Sequence, residues 1–182
     1  IVDKAEHLLA ATGRYYQAAG LVAQVLTDPA TLETKIEPVT APALVRALSR
    51  VALWERYDGR AEDFVTCDPP ARHCGVLYDA SVYEHLPVLR GIARQPHLRD
   101  DGSLVSQAGY DALTGRFGVF NARLFQIPAK PSRQDARRAL AVLEDLLCEV
   151  AFADPAIDKA AAISAMLAAA ARPSLPTCPG YL

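Results

Sequence analysis

The chain predicts an α+β fold: short strands and hairpins with packed helices, followed by a C-terminal helical pair. Turn signals such as Asp58-Gly59 and Asp100-Asp101-Gly102-Ser103 sit between aromatic, β-branched and aliphatic residues, which is hairpin chemistry. Leucines recur at intervals of three and four after Thr40 and again after Ser132, which is helical chemistry. Nothing repeats at a fixed period, and helices of crossover length do not alternate with strands, so an α+β arrangement fits better than a doubly wound parallel sheet.

Taken in order, Tyr15-Tyr16 and Leu21–Val25 flank Gly20 and predict two short strands joined by a turn. Thr40 followed by Pro42 reads as a helix N-cap with proline in the first turn, and Leu44, Leu48 and Val51 follow on one face. Leu53–Tyr57 and Phe64–Thr66 then form a hairpin around Asp58-Gly59. Trp54 and Tyr57 differ in strand parity, so at least one of them belongs to the core. Asp68-Pro69-Pro70 starts a short helix that buries Cys74 and Leu77. Val88–Ala93 predicts a strand, Leu98-Arg99 with Leu104-Val105 a second hairpin, and Phe117–Phe120 a further strand. Gly109–Gly115 reads as a turn in which Asp111 caps local amides and Gly115 takes a positive φ.

Pro128 and Pro131 make residues 128–132 a stiff connector. Residues 1–127 are then the α+β domain, 133–172 the helical pair and 173–182 a tail. Ser132 and Asp135 form a capping box, and Leu140, Leu143, Leu147 and Val150 mark the face expected to be buried. Asp154-Pro155 opens the second helix of the pair, which Arg172-Pro173 ends.

Composition bounds the function. With 51% hydrophobic and 22% charged residues over 182 positions, the chain can build a core. A net charge of -2 is unlike that of a strongly basic nucleic-acid binder. No run approaches the roughly 18 apolar residues of a membrane span. The start, Ile1-Val2-Asp3-Lys4, lacks an initiator Met and a signal-peptide pattern, as an excised fragment would. Cys67, Cys74, Cys148 and Cys178 are irregularly spaced, which favours reduced thiols in a cytoplasm.

No phosphate-binding glycine loop and no nucleophile elbow is present, so no catalytic residue is assigned. Cys67, His73 and Cys74 are the one local set of zinc-compatible types, but their spacing fits no metal motif; neither metal nor cofactor is expected. His85 and His97 stand alone in the sequence. The arginines carry the binding hypothesis. If the two hairpins share a sheet, Arg56, Arg60, Arg90, Arg94 and Arg99 form one phosphate-binding face. Against it stands a plain solvated surface, with Glu55, Glu62, Asp63, Asp100 and Asp101 offsetting the positive charge.

In order and content, several segments resemble the region that precedes the helicase-type ATPase in primase-helicase replication proteins of phages, satellite phages and integrative elements. They are Trp54-x-x-Tyr57-Asp58-Gly59, Asp68-Pro69-Pro70, Leu86-Pro87-x-Leu89-x-Gly91-Ile92, Pro96-x-Leu98-Arg99-x-Asp101-Gly102-Ser103-Leu104 and Gly109-Tyr110-Asp111-x-x-Thr114-Gly115, with Phe152-Ala153-Asp154 and Arg172-Pro173 closing the match. The similarity covers roughly residues 40 to 173. It implies a non-catalytic, cytoplasmic accessory domain that positions or contacts DNA, single-stranded or duplex, or docks the adjacent ATPase ring of the same polypeptide. Homo-oligomerisation through such a parent protein is a further implication. The alternative is a structural protein-protein module with no nucleic-acid contact.

Overall fold

The computed structural model describes residues 1–128 and 130–175. Ala129 of the connector and residues 176–182 of the tail, Cys178 among them, lie outside the described residues. The fold is α+β, with five helices and several small antiparallel sheets.

The chain divides into two compact units. One comprises Ile1–Ile92 with Gly109–Val119; the other comprises Ala93–Ala108 with the chain from Phe120 onward. The division thus places the predicted hairpin after Ala93 with the C-terminal helices, whereas sequence reading draws its boundary at the proline connector.

The first unit opens on α1 (Val2–Ala11), which sequence reading does not anticipate. β1 (Tyr15–Ala18), β2 (Leu21–Thr27) and β3 (Thr34–Pro38) then form an antiparallel sheet in that order. The β1–β2 turn places both Ala19 and Gly20 at positive φ, the geometry that suits the right-handed twist of a tight hairpin. α2 (Ala41–Val51) begins as predicted: the Thr40 hydroxyl accepts from the Ala43 amide, with Pro42 in the first turn. β4 (Glu55–Asp58) and β5 (Asp63–Thr66) make the expected hairpin, and α3 (Ala71–Tyr78) buries Cys74 and Leu77. Ala5 and Leu9 of α1, Val22 of β2, Leu44 and Leu48 of α2, and Leu86 join them in one core.

Val88–Ala93 is only partly a strand. Val88 makes a single parallel bridge to Gln17, and regular pairing begins at β6 (Gly91–Ala93). The Gln17 side chain donates to the Tyr83 and Leu86 carbonyls, so this segment is held by a glutamine on β1 as well as by its own ladder.

In the second unit, β7 (His97–Leu98) pairs with β8 (Leu104–Val105). Back in the first unit, Gly109–Gly115 is more than a turn: β9 (Gly109–Asp111) pairs antiparallel with β10 (Arg116–Gly118), and β6 lies on the other side of β10. Its interior behaves as expected, since the Asp111 carboxylate accepts from the Thr114 amide and hydroxyl, and Gly115 has φ +64°.

α4 (Arg133–Asp145) starts from a complete capping box between Ser132 and Asp135. α5 (Pro155–Ala171) starts from Asp154, whose carboxylate accepts from the Ala156 and Ile157 amides. Its C-terminal end meets β7: the Gln95 side chain donates to the Ala170 carbonyl, and the Leu98 amide donates to the Ser174 hydroxyl. The expectation of a buried leucine face on α4 is overturned. Leu140 is exposed, Leu143 and Leu147 are only half-buried, and Val150 is exposed beyond the helix end. The helical spacing is real, but the described residues cover that stripe only in part.

Candidate functional site

The five predicted arginines are not assembled on one sheet. Arg56 lies on β4 and Arg60 in the turn after it, in one two-stranded sheet; Arg99 follows β7, in another. Arg90 precedes β6, and Arg94 stands between β6 and β7. The premise that the two hairpins share a sheet is therefore incorrect. Among the described residues each hairpin pairs only its own two strands and recruits no third.

Arg56 and Arg60 do come together, around an open concavity of about 300 Å³ at the tip of the β4–β5 hairpin. The Asp58 carboxylate accepts the Arg60 amide, which fixes the turn. Tyr57 and Phe64 face each other across the ladder, edge to face at 5.6 Å, and are 59% and 63% exposed. Trp54 turns the other way, half-buried against the core, with its indole N–H donating to the Leu48 carbonyl. The parity argument thus resolves with Trp54 inward and Tyr57 outward. Charge on the hairpin is unfavourable for phosphate: Glu55, Asp58, Glu62 and Asp63 outnumber Arg56 and Arg60.

Arg90 lines a concavity of about 450 Å³ with Gln17, Glu84, His85, Tyr110 and Leu113. The Tyr110 hydroxyl donates to the Val88 carbonyl. Burial pushes that hydroxyl's pKa up, Asp111 adds to the rise, and the Arg90 charge opposes it. In the second unit, Arg99 is committed to its own turn, with its amide bonded to the Ser103 carbonyl and its guanidinium to the Ser103 hydroxyl.

The larger signal lies in residues sequence reading treats as structural. α5 carries two charged residues, Asp158 and Lys159, in 17 positions, yet it buries none of its side chains. Ile157 and Leu167 are 67% and 51% exposed, while Asp158 and Lys159 are half-buried. α4 buries nothing either, and Val142 and Leu146 are 64% and 65% exposed. An apolar helix is normally covered by protein or lipid. No helix among the described residues is long and apolar enough to cross a membrane. The signal was available in the sequence, as a helix of mostly Ala, Ile, Leu and Met with almost no charge to mark a solvent face.

Cys67, His73 and Cys74 do not bring three donor atoms together among the described residues. Cys67, Cys74 and Cys148 form no disulfide, and burial pushes the Cys74 thiol's pKa up, as expected of a small core residue rather than a reactive one. No protein-family model, no curated protein and no solved structure matches the chain. The α+β architecture and the surfaces described above are therefore the basis for a functional reading.

Proposed function

We propose that this chain is a non-catalytic docking module of a mobile-element DNA-replication protein, and that its C-terminal helices seat against an adjacent ATPase domain. One observation carries the reading: α5 is almost uncharged over 17 residues and fully buries none of them, with Ile157 and Leu167 exposed and Ile163 and Met166 only half-buried. The resemblance to the segment before a helicase-type ATPase supplies the partner's identity. Cys67, Cys74 and Cys148 form no disulfide, which suits a cytoplasmic setting. Docking is preferred to direct DNA contact because the two predicted hairpins fall in separate sheets and the Arg56–Arg60 hairpin carries net negative charge.

The test mixes the chain with the ATPase domain encoded in the same reading frame and follows association by titration calorimetry. Micromolar or tighter binding is expected, weakened at least tenfold by Ile157→Glu with Leu167→Glu, both at exposed positions. A reading frame without such a domain, or no association, overturns the proposal. Anisotropy with single-stranded and duplex DNA at low salt tests the other reading. Binding there, with a log-log salt slope that falls by about 0.7 to 0.9 for each arginine replaced by Ala, would make DNA the partner.

A further inference from the structure

α1 places Asp3 and His7 one turn apart, so both side chains lie on the same helix face. Both residues are exposed. Between them on the chain, Glu6 is 7% exposed, and its carboxylate accepts the backbone amides of His85 and Leu86. That buried carboxylate ties the segment carrying Glu84 and His85 to α1. As a result the His85 Nε2 stands 2.9 Å from Asp3 Oδ1, and its ring meets the His7 ring edge-on at 5.1 Å. The donor atoms of Asp3, Glu84 and His85 all lie within 4.8 Å of one another.

We infer that Asp3, His7, Glu84 and His85 form a binding site for a borderline divalent transition-metal ion, best suited to Zn²⁺. Two imidazoles with two carboxylates match the donors Zn²⁺ takes in four-coordinate sites, whereas Mg²⁺ and Ca²⁺ select shells of oxygen. Tetrahedral ligation at these bond lengths sets neighbouring donors about 3.3 Å apart. The Asp3–His85 pair is already close to that spacing and Glu84 lies within the same 4.8 Å group, whereas His7 touches the His85 ring from outside that group and completes the shell by turning its exposed side chain toward the ion. A helix-to-loop tie alone does not account for the arrangement. Glu6 already makes that tie from a buried position, and an exposed Asp–His pair adds little to it. Glu6 then serves as the positioning residue behind the ligands, orienting His85 through its backbone.

The experiment uses the full chain after chelator treatment, titrated with Zn²⁺ by calorimetry and with Co²⁺ by visible absorption. One equivalent is expected to bind, with the visible bands of a nitrogen-and-oxygen shell and no sulfur-to-cobalt charge-transfer band. His7→Ala and Asp3→Ala, both at exposed positions and checked for native circular dichroism, are expected to weaken Zn²⁺ binding by tenfold or more. His85→Ala is expected to abolish the stoichiometric step. Absence of binding, affinity unchanged in these variants, a thiolate band, or equal affinity for Mg²⁺ would each overturn the site. None of these readouts depends on whether an ATPase domain docks elsewhere on the chain.

Discussion

α2 and α4 start alike and are used differently. Each is capped by a hydroxyl side chain, Thr40 in one and Ser132 in the other, and each carries leucines at helical spacing, Leu44 and Leu48 in one and Leu140 and Leu143 in the other. In α2, Leu44 and Leu48 are sealed to 0% and 1% exposure by α1, α3 and the β-sheet residues of the first core. In α4 the corresponding stripe is half-open or open. Periodicity therefore reports which side chains share a face, and leaves open whether anything lies against that face. The difference separates a region whose leucines its own core seals from one whose leucines stay half-open or open.

The largest expected effect comes from truncating one leucine in each region. Leu48→Ala should cost about 2–5 kcal/mol, because a fully buried side chain leaves a cavity behind. Leu143→Ala should cost about 1 kcal/mol or less in the isolated chain, since it is only half-buried. Urea unfolding of both variants checks the pair. Equal losses would mean that α4 is covered after all and would break the comparison.

A second, smaller contrast uses glycine. Gly115 has φ +64°, and an added Cβ would stand 2.9 Å from the Val88 carbonyl oxygen and 3.2 Å from Arg90 Cγ. Gly102, in the second unit, has φ +78° with open space around the same atom. Gly115→Ala should therefore cost about 1–3 kcal/mol, combining conformational strain with a clash against backbone. Gly102→Ala should cost about 1 kcal/mol, from conformation alone. Thermal unfolding of the two variants would show whether the close approach at Gly115 matters as much as its φ.

The smallest effects are in pH, and they have opposite signs. Burial raises the pKa of the Tyr16 and Tyr83 hydroxyls, and Tyr110 adds to the rise at Tyr16. Raised folded-state values favour the neutral phenols, so this stabilisation is complete below the ordinary tyrosine value of about 10 and is lost as pH climbs through the folded values. The Asp135 carboxyl shifts the other way, lowered first by the Ser132 hydroxyl, then by the Ser132 amide and by Arg138. Its contribution is present above the ordinary aspartate value and is lost as pH falls through the depressed one. Alkaline titration should therefore loosen the tyrosine-bearing first unit, read by phenolate absorbance and near-UV circular dichroism. Acid should fray α4, read by far-UV circular dichroism, and Ser132→Ala should shrink that acid step, leaving the part due to the Ser132 amide and Arg138.

Local chemistry made much of the fold readable. Thr40 and Ser132 announce helices because short hydroxyl side chains satisfy amides that a helix start leaves open. The hairpins declare themselves through Asp58-Gly59 and Asp101-Gly102-Ser103, and the Cys74–Leu77 spacing correctly marks the buried side of α3. The reading fails where local signals are missing. α1 has no side-chain cap, and β3 alternates Lys35 and Glu37 with Ile36 on a strand that pairs only with β2. For the candidate sites, the sequence determined the charge-poor composition of α5 and the residue types at Asp3, His7, Glu84 and His85. Tertiary structure alone decided that the arginine hairpins stay in separate sheets, that α5 fully buries none of its residues, and that a histidine 82 positions from Asp3 comes within 2.9 Å of it. The physical reason is common to all three. Caps, turns and periodicity act over a few residues, whereas burial and donor convergence depend on which distant segments pack together, here through the Glu6 carboxylate and two backbone amides.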